Sequence, residues 1–273
     1  MSLGPASLCG SAPWHSQFPI LSPRRYGCAM LVLILLALTL AYQAALLWRG
    51  RMFARLTLRL SSRHLRGASA LWIGYAAPAL LGLLAMERLG EIGHLPREFL
   101  PLGYALGVPP GSIGPTLVAI GMIGGSLLGL ALTWWRARRG KAPWTAGDAR
   151  SIMPASDADL WPAAVLAISA GVGEELFYRL WLPLIVALGT GSGLAGMIVG
   201  TAAFAAMHRY QGWIGVVATF IGGGLLSALY MGSGALWLPI GVHVLTDLNA
   251  LVLRPALSAR WRRRFSSSAA SRS

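Results

Sequence analysis

Long apolar runs, separated by short clusters rich in arginine, glycine and proline, dominate this chain. Runs near the length of about 20 residues that a membrane-crossing helix needs occupy 26–48, 68–86, 114–135, 160–188, 193–208, 213–231 and 235–253. The second run is interrupted by Pro78, and the fourth is long enough to be two pieces broken near Pro183. The pattern predicts an all-α, polytopic membrane helical bundle with about seven transmembrane helices, within a range of six to eight. Residues 1–25, rich in Ser, Pro and Gly and without periodicity, read as a disordered leader, and Met30 opens directly into the first run.

The polar positions between the runs set the expected orientation. Arg49, Arg51, Arg55, Arg59, Arg63 and Arg66 follow the first run. Arg136, Arg138, Arg139 and Lys141 follow the third, and Arg260, Arg262, Arg263 and Arg264 follow the last. Cationic loops stay on the cytoplasmic side, so the N-terminus is expected outside and these three segments inside, with Arg24 and Arg25 as outer-side exceptions. The loop after the second run carries Glu87, Arg88, Glu91, Arg97 and Glu98 among prolines and glycines. The division expected is a leader at 1–25, N-terminal transmembrane helices and basic loops at 26–159, a membrane core at 160–255, and a basic, Ser-rich cytoplasmic tail at 256–273.

Composition narrows the class. Hydrophobic residues make up 55% of the chain and charged ones 12%, with mean hydropathy +0.60. The partner is the lipid bilayer. A net charge of +14 would suit nucleic acid only if a basic surface with interleaved aromatics existed apart from the spans, and none does; nucleic acid is excluded. Cys9 and Cys28 are the two cysteines and have no metal-ligand spacing, so neither a disulfide framework nor a thiol nucleophile is expected. The Arg/Ala/Gly-rich composition points to a bacterial cell inner (plasma) membrane.

Against this background the ionisable residues inside the spans stand out. A charge at membrane depth costs about 2.5–3.5 kcal/mol on insertion scales, yet three of the nine acidic residues and two of the five histidines lie on apolar runs after residue 160. The first group is Glu174-Glu175-Leu-Phe-Tyr-Arg179. Glu175 and Arg179 stand at i,i+4 in the favoured order for an intrahelical ion pair. Glu174, about 100° round the helix, has no local partner, which is the setting of a general base. The second group is Phe204-Ala-Ala-Met-His208, and the third is His243-Val-Leu-Thr-Asp247. His243 and Asp247 share a helix face, where an acceptor would fix the imidazole's tautomer.

This set builds one of two hydrolytic sites. In one, Glu174 activates a water held by His208 while His243 and Asp247 stabilise a tetrahedral intermediate. In the other, Glu174, His208, His243 and Asp247 hold a divalent metal such as zinc, which acidifies its bound water. Zincin chemistry is disfavoured because no His-Glu-x-x-His occurs, and serine proteolysis because neither Ser169 nor Ser227 has a Gly-x-Ser-x-Gly setting. Buried Glu, Asp and His also suit a proton-coupled transporter, but no internal repeat is visible.

The three groups, in order, resemble the motifs of the CPBP family of intramembrane endopeptidases, the type II CAAX prenyl proteases and bacteriocin-processing proteins. That family carries Glu-Glu-x-x-x-Arg, Phe-x-x-x-His and His-x-x-x-Asn or a close variant on successive membrane helices. The resemblance covers about residues 160–255. It implies a helical membrane (metallo)endopeptidase acting on a peptide or protein substrate from a cavity open to the cytoplasm. It also implies roles: Glu174 as the base, assisted by His208, and His243 with residue 247 binding the oxyanion. Glu175, Arg179 and Phe204 would support them. Asp247 departs from the commoner Asn, and an ionised Asp would repel an oxyanion; Asn249 lies on another face. The alternative within the same architecture is a catalytically silent peptide-binding immunity or scaffold protein. Gly222–Gly224 and the Gly-Ser-Gly loops at 191–193 and 232–234 would permit close helix packing.

Overall fold

A computed structural model describes residues 23–49, 62–141, 147–149 and 151–258. The leader up to residue 22, Arg51, Arg55 and Arg59 of the first basic loop, and the tail from residue 259 lie outside the described residues. Every regular element among the described residues is helical. We number the helices α1 (Pro23–Arg49), α2 (Arg63–Ala85), α3 (Leu100–Ala105), α4 (Pro115–Arg138), α5 (Leu160–Glu175), α6 (Leu182–Thr190), α7 (Gly193–Met207), α8 (Gly212–Ser233) and α9 (Trp237–Leu248).

Six helical stretches are long and apolar enough to cross a membrane. One of them, Gly193–Ser233, is 41 residues long and is a hairpin: Thr201 Oγ1 lies 3.3 Å from Ser227 Oγ, 26 residues later. The 3-10 turn His208–Gln211 reverses the chain, and Gly212 follows it at φ 75°. The two runs expected at 193–208 and 213–231 are therefore separate legs. Rows of exposed Met, Leu, Ile and Phe line α1 (Met30, Leu33, Leu38), α4 (Leu117, Ile120, Ile123, Leu127) and α8 (Ile214, Phe220, Leu225). Such apolar surface is stable only against lipid or another apolar partner. The protein is an integral membrane helical bundle.

Its centre is the continuous path from α5 through a π turn, Leu176–Trp181, into α6. Phe177, Tyr178, Leu180, Trp181, Leu182, Leu184 and Ile185 are all buried, as expected of a helix apolar on every side. The π turn has a local cause. Proline lacks an N–H and its ring clashes with the carbonyl four residues back, and widening the preceding turn relieves that clash. The same device occurs three times: Trp72–Ala76 precedes Pro78, Leu176–Trp181 precedes Pro183, and Asn249–Leu253 precedes Pro255. At the first, the carbonyl of Gly74, four residues before Pro78, accepts instead from the Tyr42 hydroxyl at 2.8 Å. The interruption expected at Pro78 and the break expected near Pro183 are thus widened turns within unbroken helices.

The N-terminal helices pack directly on this axis. From α1, Gln43 accepts from the Tyr178 hydroxyl and Thr39 from the Trp181 indole. From α2, the Trp72 indole donates to Ser169 at 3.2 Å. On the opposite side α7 crosses closely through Gly196 and Gly200: a Cβ at Gly200 would sit 2.6 Å from the Tyr178 carbonyl oxygen, a spacing only glycine allows. Of Gly222–Gly224, only Gly223 meets a neighbour, the Phe204 ring. Cys28, on α1, is disulfide-bonded, which the cysteine count did not lead us to expect.

The end of the bundle where α6 stops and α7 starts is covered by the segment after α2. Phe99 is buried against Tyr230 with ring centroids 6.4 Å apart. Arg88 bridges Glu91 at 2.6 Å and Glu98 at 2.7 Å. Burial alone would push the Glu98 carboxyl up, but the hydrogen-bonded Arg88 guanidinium outweighs it and holds that carboxyl below its ordinary range. A carboxyl so depressed contributes stability above its unfolded value and loses it as the pH falls. Melting in detergent should therefore separate wild type from Arg88→Met at neutral pH, and the gap should close as the pH drops below the ordinary carboxylate range. A gap undiminished in acid would contradict this assignment.

Candidate active site

The last turn of α5 delivers Glu174 and Glu175 into the centre of the bundle, and small residues before them let two helices close in. A Cβ at Gly171 would lie 2.9 Å from the Val244 nitrogen on α9, and one at Gly173 would lie 3.2 Å from the Leu71 carbonyl oxygen on α2. Glu175 is fully buried, as is Arg179. The Glu175 Oε2 atom is 3.2 Å from Arg179 Nε, the i,i+4 pairing that the spacing predicts. Its other oxygen, Oε1, accepts from His243 Nδ1 at 2.8 Å. The Arg179 guanidinium carbon sits 4.1 Å from the centroid of the Phe204 ring, and that cation–π contact compensates part of the charge's desolvation.

Glu174 is placed differently. Its side chain retains 12% exposure, and its nearest basic partner is His243 Nε2 at 3.8 Å, too far for a hydrogen bond. Asp247, 29% exposed, stands 3.7 Å from the same nitrogen. The sequence reading gave Asp247 the task of fixing the His243 tautomer. In the structure Glu175 does this from 68 residues away, and Nε2 is left facing Glu174 and Asp247 together. A proton donated from Nδ1 leaves Nε2 of a neutral imidazole as an acceptor.

His208 ends α7 and begins the 3-10 turn. Its Nδ1 donates to the Phe204 carbonyl at 2.9 Å, so its Nε2 is likewise an acceptor when neutral. Phe204 is the wall shared by the whole group. Its ring centroid lies 4.8 Å from that of His208, 5.8 Å from that of His243 and 5.6 Å from that of Tyr178. The fold therefore brings Glu174, Glu175, Arg179, Phe204, His208, His243 and Asp247 into one cluster drawn from α5, the π turn, α7 and α9. Other polar residues on these helices are committed elsewhere. Ser169 accepts from Trp72, Ser227 pairs with Thr201, and Asn249 accepts from Arg254 Nε at 3.0 Å.

The donor set suggested for a metal was Glu174, His208, His243 and Asp247. Among the described residues no group of three His, Cys, Asp or Glu side chains is arranged to hold a metal ion. As placed, the four residues form no such group; Nδ1 of each histidine is committed, and each Nε2 is left as an acceptor.

Sequence reasoning missed Tyr210. It lies on the same turn as His208, with ring centroids 5.9 Å apart, and its hydroxyl accepts from Gln211 Nε2 at 3.0 Å. The available signal was its position two residues beyond His208, in a turn that has to face the site.

Residues 156–249 match the family model described as type II CAAX prenyl endopeptidase Rce1-like. This segment, roughly a third of the chain, contains every motif residue of the cluster, and the match supports membership of that family of membrane proteases. Comparisons with curated proteins and with solved structures gave no match.

The geometry separates the two adjacent glutamates in a measurable way. Glu175→Ala should leave the Arg179 charge buried without its partner and destabilise the fold by about 3–5 kcal/mol. Glu174→Gln should change stability by less than about 1 kcal/mol, since no hydrogen bond or close ion pair is lost. Unfolding of the two variants in detergent micelles checks this; equal losses would refute it.

Proposed function

We propose that this Rce1-like chain is an intramembrane endopeptidase that hydrolyses a peptide bond of a membrane-associated protein or peptide with water activated by Glu174. One observation carries the reading. Of two adjacent carboxylates, Glu175 is fully buried and consumed by Arg179 and His243, while Glu174 keeps its oxygens uncommitted beside His243.

In this reading a water molecule donates one proton toward Glu174 and lies within reach of the acceptor Nε2 of His208. Glu174 takes the proton as the oxygen attacks the peptide carbonyl carbon, giving a tetrahedral oxyanion. The protonated Glu174 then returns that proton to the amide nitrogen, the C–N bond breaks, and a carboxylic acid and an amine are released, the acid passing its remaining proton to the amine to give carboxylate and ammonium. Glu174 ends the cycle ionised, as it began. His243 and Asp247 flank the other side of the reacting carbonyl. The locked Glu175 keeps the His243 ring from turning, so the site is preorganised before substrate arrives.

The direction of access follows from charge. The turn bearing His208 also carries Arg209, whose guanidinium donates to the Leu47 carbonyl at the end of α1. At the same end Arg63 donates to the Met153 carbonyl. An arginine-rich end of a bundle is the cytoplasmic one, which supports a site entered from the cytoplasm, while the Phe99 segment covers the far end. The family description names CAAX prenyl substrates. A prenylated C-terminal peptide is therefore the first substrate to offer, and a bacteriocin-like membrane peptide the second.

The test uses internally quenched peptides, with and without a prenylated C-terminal cysteine motif, and protein reconstituted in liposomes. Glu174→Gln should lower kcat by at least about 10²-fold, the scale of a lost general base, with substrate binding retained. Binding of peptide without cleavage by wild type would replace the enzyme with a peptide-binding immunity or scaffold protein.

A further inference from the structure

Hydrolysis at this site requires a hydrogen-bond donor for the carbonyl oxygen as it gains negative charge, and the residues of the cluster are poor in donors. His243 Nδ1 donates to Glu175, and His208 Nδ1 donates to the Phe204 carbonyl. In the neutral rings both Nε2 atoms are therefore acceptors. A proton added to His243 Nε2 would face the two carboxylates that stand 3.8 and 3.7 Å from it. Arg179 is rich in donors but has no exposed side-chain atom and lies against the Phe204 ring. Asp247, when ionised, only accepts, and its charge opposes an oxyanion.

Tyr210 has the missing property. It is 49% exposed and sits on the turn that presents His208. Gln211 Nε2 donates to its oxygen at 3.0 Å. A hydroxyl whose oxygen accepts one hydrogen bond still has its proton to give, and the neighbouring amide orients it. The Tyr210 ring centroid lies 5.9 Å from that of His208, the histidine assigned to the attacking water.

We propose that the Tyr210 hydroxyl donates to the substrate's carbonyl oxygen and stabilises the oxyanion, the task that Asp247 cannot perform. The inference rests on the endopeptidase reading. No proton is transferred: the O–H bond persists through attack and collapse, and the hydrogen bond strengthens as charge develops on the carbonyl oxygen. Donors aimed at the transition state rather than the ground state act on kcat more than on KM. Gln211 is a positioning residue for this hydroxyl.

The experiment measures kcat and KM for wild type, Glu174→Gln, Tyr210→Phe, Asp247→Asn and the double variant Tyr210→Phe/Asp247→Asn, using the same quenched peptides in liposomes. Tyr210→Phe keeps the ring and removes only the hydroxyl. Its kcat should fall about 10²- to 10³-fold, the scale of one lost oxyanion donor, with KM little changed. An asparagine amide at 247 supplies a donor and removes a charge, so the double variant should recover activity relative to Tyr210→Phe. Glu174-dependent cleavage that Tyr210→Phe leaves intact, or a loss that Asp247→Asn does not relieve, overturns this inference alone. Cleavage absent from wild type, or undiminished in Glu174→Gln, overturns the reading beneath it as well.

Discussion

A carboxylate buried without any exposure, held at once by an arginine on its own helix and a histidine on another, is the constraint on which the rest of this site depends. Glu175 at the end of α5 is too costly to leave ionised in an apolar bundle without partners. His243 donates to one oxygen, and Arg179 forms an ion pair with the other. The consequence is geometric. With Nδ1 of His243 tied down, the ring cannot rotate, and its other nitrogen has to face Glu174 and Asp247. Two neighbouring residues of identical chemistry thereby acquire different settings, one as a fixed strut and the other as an uncommitted carboxylate.

The backbone supports this division. The π turn that begins just after Glu175 widens the helix ahead of Pro183 and carries Arg179, so a proline-driven irregularity coincides with residues of the cluster. Phe204 then serves three neighbours, giving the Arg179 charge a π face and both histidines a wall. The helices before residue 160 contribute no motif residue, yet Gln43, Thr39 and Trp72 hydrogen-bond to the central helix. The core and the N-terminal helices are one packed unit at these contacts.

Much of this was legible in the sequence, and the parts that were not have physical reasons. The apolar runs gave the spans to within a few residues, because hydrophobic length is a property of the segment alone. The Glu175–Arg179 pair was legible because i,i+4 spacing fixes it within one helix. The partner of His243 Nδ1 was not: Asp247, at i,i+4, was the local candidate, and the actual acceptor is 68 residues distant, where only tertiary packing decides. Pro78 and Pro183 announced irregularities without saying that the helix widens and continues. Tyr210 escaped notice because a tyrosine near an interface is ordinary until its neighbours' donors are counted.

The central claim is that Glu174 makes this membrane bundle a peptidase. The most direct measurement compares the membrane peptidomes of cells expressing wild type and Glu174→Ala at matched levels of folded protein. The account predicts peptides with new termini that appear with wild type alone, which would identify the substrate as well as the activity. Indistinguishable peptidomes, with both proteins folded and the native host's peptides present, would contradict it.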